Sequence, residues 1–225
     1  MLTHRIIGVV LGRRRTVAVA ATPPVDANDT NAARKERRGE RDPVLAGEIW
    51  ECACGDGSMS RILEQTGQPV HSSDLYDRGY GEVGADFLHA TRTADNIVTN
   101  PPYNCAEGFV ASGFRLANRK FALLLRLAFL EGANRANTIF FKMPPARVWV
   151  FSERITFYPS GVEPKGSGTT AYAWFVWDKE ASPGRTELKW FEPGYKAKFA
   201  QLRHVLLEAH QVRGPIRSTR PSHKV

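Results

Sequence analysis

The sequence predicts an α/β protein built on a doubly wound, mostly parallel sheet. Three observations carry that expectation. From residue 48 onward, short β-branched or apolar runs alternate with stretches of helical periodicity. Residues 121–125 form a continuous apolar run, the pattern of a parallel strand buried on both faces. Three of the predicted strands run into acidic or amide residues, Glu51, Asp74 and Asn100, and ligands of such sheets gather at the carboxyl ends of strands.

The elements follow in order. Residues 48–51 read as a short strand running into the turn Gly55-Asp56-Gly57. Residues 58–66 then place Met59, Ile62 and Leu63 at helical spacing. A second strand spans 69–73 and closes on Asp74. The β-branched run 96–99 stops at Pro101 and Pro102, which forbid continued regular structure. Residues 109–116 suit a helix, 121–125 a strand, and 147–157 a strand or hairpin. Residues 171–177 alternate small and aromatic side chains at strand period. Between these last two, Pro159, Gly161, Pro164, Gly166 and Gly168 mark a loop over 159–170. Residues 195–210 carry Phe199, Leu202, Leu206 and Ala209 on one face, as a terminal amphipathic helix would. There is no internal repeat.

The charge divides the 225 residues into three parts. The chain is +8 overall, but residues 1–41 carry +5, residues 194–225 carry +6, and the stretch between is weakly acidic at −3. The expected organisation is a basic, flexible segment over 1–41, a catalytic domain over 42–193, and a basic helix and tail over 194–225. The boundary falls near Asp42-Pro43, after the polar, charge-rich stretch 28–41. Basic flanks suit a polyanion, because each Lys or Arg beside a phosphate releases a condensed counterion. They also occur as plain solvated tails. No run approaches the roughly 18–20 apolar residues of a membrane-spanning helix. The apolar run 6–11 has its arginines after it rather than before, unlike a secretory signal. Three cysteines make no disulfide framework and fit a reducing, cytoplasmic setting.

Four segments carry the candidate chemistry. In Glu51-Cys52-Ala53-Cys54-Gly55-Asp56-Gly57 an acid ends a strand, and two glycines allow close backbone approach at a helix start. The spacing is near that of a dinucleotide fingerprint, but Ser60 stands at the third glycine position, so a pyrophosphate is not the natural guest. Asp74 is placed to accept both hydroxyls of a ribose. Asp86-Phe87 offers a carboxylate and an aromatic face to an adenine. In Asn100-Pro101-Pro102-Tyr103 the two prolines fix the backbone, so an amide oxygen and a proline carbonyl can converge beside an aromatic ring. Two such acceptors suit the hydrogens of a planar amino group, and the ring gives it a stacking surface. No metal cluster is expected, because Cys52, Cys54 and Cys105 lack a suitable fourth ligand.

With these segments in order, residues 42–190 resemble the amino-group methyltransferases that use S-adenosylmethionine, and within them the DNA adenine-N6 enzymes of phage and restriction-modification type. The resemblance implies a seven-stranded, Rossmann-like methyltransferase sheet. It assigns Glu51, Cys52, Gly55 and Gly57 to the methionine part of the cofactor, Asp74 and Leu75 to the ribose and its surroundings, and Asp86 and Phe87 to the adenine. Asn100, Pro101, Pro102 and Tyr103 match the family's catalytic motif without departure. Phe151 and Phe157 are candidates to flank the target base. Thr22-Pro23-Pro24 is similar to a segment that closes the cofactor site in the family, but no amphipathic helix follows it. The length after the catalytic body leaves no room for a large target-recognition domain. An RNA adenine or protein glutamine methyltransferase, or a non-catalytic nucleic-acid-binding module of the same fold, remains open at this stage.

Overall fold

The structure, a computed structural model, describes residues 45–155, 169–181 and 184–194, together with the backbone of 8–10 and 17–19. Thr22-Pro23-Pro24, the stretch 28–41, the loop over 159–168, Phe157 and the helix expected over 195–210 lie outside the described residues. Strands β1 (Gly8–Val10) and β2 (Val17–Val19) pair antiparallel, with Gly8 opposite Val19.

The main sheet starts at β3 (Ile49–Glu51). The chain steps outward to β4 (Val70–Asp74) and β5 (Glu82–Val83), then returns to place β6 (Ala94–Thr99) on the other side of β3. β7 (Ala117–Arg126) follows β6 in parallel. β9 (Tyr172–Asp178) inserts antiparallel between β7 and β8 (Arg147–Val150), and β10 (Glu187–Trp190) closes the edge parallel to β8. The order is β10-β8-β9-β7-β6-β3-β4-β5. Its direction of winding reverses between β3 and β6, and the crevice outside the carboxyl ends at such a switch point is where open α/β sheets bind ligands.

Both faces are covered, as the doubly wound expectation requires. Helix α1 (Ser60–Leu63) and Met59 pack Ile62 and Leu63 beside Ile49, Val98, Leu124 and Trp174 on one face. Helix α2 (Ala106–Leu116) packs Phe109, Val110 and Leu116 beside Trp50, Ile97, Phe121 and Phe175 on the other. The fully buried Phe121 and Trp177 stack with centroids 4.7 Å apart and planes 5° from parallel. Gly113 lets α2 come this close, since a β-carbon there would lie 2.6 Å from the Phe121 ring.

The sheet has eight strands where seven are expected. The extra edge strand β10 leaves Leu188 and Trp190 about half exposed, so it lacks the alternation that marks a half-buried strand. β5 is two exposed residues long and equally silent in the sequence. Among the described residues no helix is long and apolar enough to cross a membrane.

Candidate functional site

Glu51 closes β3 with its side chain 2% exposed. Its carboxylate accepts a hydrogen bond from the hydroxyl of Ser60, which in turn accepts one from Ser72 Oγ at 2.7 Å. Burial nevertheless pushes the Glu51 carboxyl well above the ordinary carboxylate range. Ser60, which departs from the dinucleotide fingerprint, is therefore the residue that fastens Glu51 to the start of α1. The chain then turns through Gly55 (φ 58°) and Gly57 (φ 76°). Cys54 N–H donates to the Ser73 carbonyl at 3.0 Å and Gly57 N–H to the Cys54 carbonyl at 2.9 Å, which ties the turn to β4. Cys52 and Cys54 are buried thiols, and burial pushes that of Cys54 up to about 12. They are packing groups rather than nucleophiles.

Asp74 ends the neighbouring strand β4 and is also buried. Its Oδ2 accepts from Gly55 N–H and its Oδ1 from Tyr76 N–H, both at 2.9 Å, and Arg78 Nε lies 3.7 Å from Oδ1. The carboxylate thus clasps the glycine turn from across the sheet, and it keeps acceptor capacity because an ionised carboxylate offers about four lone-pair sites. Leu75, next in sequence, is 45% exposed. Asp86 accepts from Leu88 N–H at 2.9 Å and sits 2.7 Å from His89 Nδ1, and these bonds hold its carboxyl below the usual range. Phe87 is buried in the core, edge-on to Trp50 at 5.2 Å and tilted on Phe109 at 4.9 Å.

Asn100 follows β6, on the far side of the switch point from β4. Its Oδ1 is buried and has no hydrogen-bond partner. It is one of six such side-chain atoms among the described residues, and a buried acceptor left unmade costs about 1–3 kcal/mol. Pro101 is buried and Pro102 exposed, and the Pro102 carbonyl accepts from Cys105 N–H at 2.9 Å, which fixes the turn into α2. The half-buried Tyr103 has its ring 5.7 Å from that of Tyr172, and the Arg126 guanidinium lies 5.0 Å from its centroid.

The structure therefore gathers Glu51, Gly55, Gly57, Asp74 and Asn100 at the carboxyl ends of three adjacent strands, with Tyr103 beside them. Phe151 lies just past the carboxyl end of β8, buried and stacked on Phe191 at 4.7 Å, with its N–H on the Tyr172 carbonyl at 3.4 Å. Sequence reasoning passed over the fastening role of Ser60 and the contacts of Arg78, Tyr80 and Arg126. The first was visible as a hydroxyl at a glycine position; the others carry no motif.

No family model matches the sequence, and no curated protein matches it. Several solved structures are similar. A protein of Listeria monocytogenes described as a class I S-adenosylmethionine-dependent methyltransferase is 14% identical, with a TM-score of 0.47 over 69% of this chain and 62% of its own. A type I restriction-modification methyltransferase subunit from Streptococcus thermophilus is 12% identical, with a TM-score of 0.49 over 85% of this chain and 53% of its own. Magnesium protoporphyrin IX methyltransferase from Synechocystis PCC 6803, with bound S-adenosylmethionine, is 18% identical, with a TM-score of 0.41 over 67% and 77%. The chain thus spans under two thirds of the length of the first two.

Proposed function

We propose that this protein transfers the methyl group of S-adenosylmethionine to the exocyclic N6 amino group of adenine in DNA. The observation that carries the reading is the orphaned Oδ1 of Asn100, a buried acceptor held by a diproline turn at the switch point of the sheet. A buried polar atom without a partner is explained if a ligand donor completes it.

The residues present fit the cofactor. Glu51 and the Gly55–Gly57 turn would face its methionine end, Asp74 would accept ribose hydroxyls with the capacity left to it, and Asp86 would accept from the adenine amino group. When bound, S-adenosylmethionine supplies a methyl group on a positively charged sulfur. Asn100 Oδ1 and the Pro101 carbonyl accept the two hydrogens of the target amino group. That draws its lone pair out of conjugation with the ring and raises its nucleophilicity. Tyr103 stacks on the extruded base and holds it in line, and such positioning supplies much of the acceleration. Extrusion from a duplex costs a few kcal/mol, so a single-stranded or mispaired adenine should react more readily.

Incubation with radiolabelled S-adenosylmethionine and, separately, DNA, RNA and a glutamine-containing protein, followed by nucleoside and amino-acid analysis, tests the reading. Label in N6-methyladenine of DNA is expected. Label confined to RNA or to glutamine would replace it with the corresponding enzyme, and no label in any substrate would leave a binding module.

A further inference from the structure

Beyond the strand ends that hold the proposed cofactor, the carboxyl end of β7 opens onto a cavity of about 570 Å³. That size suits a small ligand or one unit of a larger one. Arg126, Leu127, Arg154, Thr169 and Thr170 line it. Arg126 and Arg154 are exposed, and neither has a carboxylate partner among the described residues. Arg154 donates one Nη1 hydrogen bond to the Thr169 carbonyl at 3.0 Å, and Arg126 rests on the Tyr103 ring. Carboxylate pairing is common but not general on this surface: Arg61 and Arg115 donate to backbone carbonyls instead. Arg92 is paired with Glu48, Arg119 with Glu180, Arg135 with Glu107, and Arg147 with Asp178. Arg126 and Arg154 thus keep most of their donors unused among the described residues. The cavity wall bears one carboxylate, Glu131, which leaves its lining net positive.

We propose that Arg126 and Arg154 bind the phosphate backbone of the strand that carries the target base. The inference rests on the function proposed above and adds to it the place where the strand is held. A guanidinium presents a rigid fork that matches phosphate oxygens, and it does so here beside the ring on which the base is to stack. Arg126 links the two tasks: its stem and charge brace Tyr103, and its free donors reach toward the phosphate flanking the extruded nucleotide. A peptide substrate would not use the pair unless it carried acidic residues, whereas every nucleotide supplies an anion.

The full chain, with Arg126→Ala, Arg154→Ala, the double variant and Arg126→Lys, tests this on an adenine-containing oligonucleotide. Fluorescence anisotropy reads binding independently of turnover, and methyl transfer at several salt concentrations reads KM. Each alanine change is expected to weaken oligonucleotide binding about tenfold and to lower the slope of log Kd against log salt by about 0.7–0.9. KM should rise more than kcat falls. Arg126→Lys should keep the salt slope and lose part of the affinity. Unaltered cofactor affinity by calorimetry reports an intact fold. Equal binding and equal salt slope in wild type and double variant overturn the clamp even when DNA is methylated. If wild type methylates a glutamine peptide and ignores the oligonucleotide, the proposed function and the clamp fall together.

Discussion

The ring of Tyr80 rests on the α-carbon of Gly57, so closely that a β-carbon there would lie 2.3 Å from it. The Tyr80 hydroxyl donates to Glu64 Oε1 at 2.5 Å, and the Arg61 guanidinium lies 4.5 Å from the ring centroid. Two residues just past the glycine turn thus grip the segment between β4 and β5. Gly57 is required twice over: by its left-handed φ of 76° and by the ring pressed against it.

Gly57→Ala should therefore lose stability by two routes. The left-handed backbone costs an alanine about 1 kcal/mol, and overpacking against the ring adds about 1–3 kcal/mol. Urea unfolding of the single and double variants separates them. With Tyr80→Ala in the background, the alanine at 57 should cost only the backbone share. If its cost is the same in both backgrounds, the ring contact is not what demands glycine.

For Asn100→Ala, stability and activity should move apart. Removing a buried acceptor that no group satisfies should leave the free protein unchanged or stabilise it by about 1 kcal/mol. Methyl transfer should fall at least about 100-fold, the scale for losing one hydrogen-bonding group at a reacting centre, with cofactor affinity near that of wild type. Wild-type turnover would remove Asn100 from the chemistry. A loss of stability near 2 kcal/mol would show that its amide serves the fold instead.

The ends of β3 and β6 were legible because the strands before them are largely apolar or β-branched, and the ends of all three, β4 included, because the residues that stop them have chemistry of their own. Orientation was not legible. Phe87 and Phe151 are aromatic in both settings, and nothing in the spacing tells that Phe87 turns into the core between Trp50 and Phe109, or that Phe151 stacks on Phe191. β5 and β10 escaped notice because exposed edge strands need no apolar alternation. Arg126 follows the apolar run 121–125 with no motif around it, and only the pairing of β7 beside β9 brings it to the Tyr103 ring.

Asp74 has two roles, and different substitutions divide them. Asp74→Ala strips the acceptor from Gly55 N–H and Tyr76 N–H, and should cost about 2 kcal/mol of stability as well as cofactor affinity. Asp74→Asn keeps one side-chain acceptor and should fold better while still binding cofactor about tenfold or more weakly, since charge-assisted bonds to the ribose hydroxyls are the stronger ones. Calorimetric titration with S-adenosylmethionine checks this. Equal affinity in wild type and Asp74→Asn would take the ribose away from this residue.

Glu51 should make the free protein less stable as pH rises. Its buried carboxyl titrates above its unfolded value of about 4.3, so between the two pKa values the folded chain binds the proton that the unfolded chain has released. The slope of unfolding free energy with pH is then negative. The contribution of this group is complete below the unfolded pKa and is lost as pH climbs toward the folded one. Glu51→Gln retains an acceptor for the Ser60 hydroxyl and removes the titration. Urea unfolding from pH 4.5 to 8 should show the variant gaining on wild type as pH rises, by at most about 1.4 kcal/mol per unit. Its affinity for a cofactor that carries a cationic amino group should fall behind that of wild type over the same range, because only the glutamate gains a charge there for a cation in the crevice to meet. A constant difference in stability across the range would mean that Glu51 ionises in the folded chain as it does in the unfolded one.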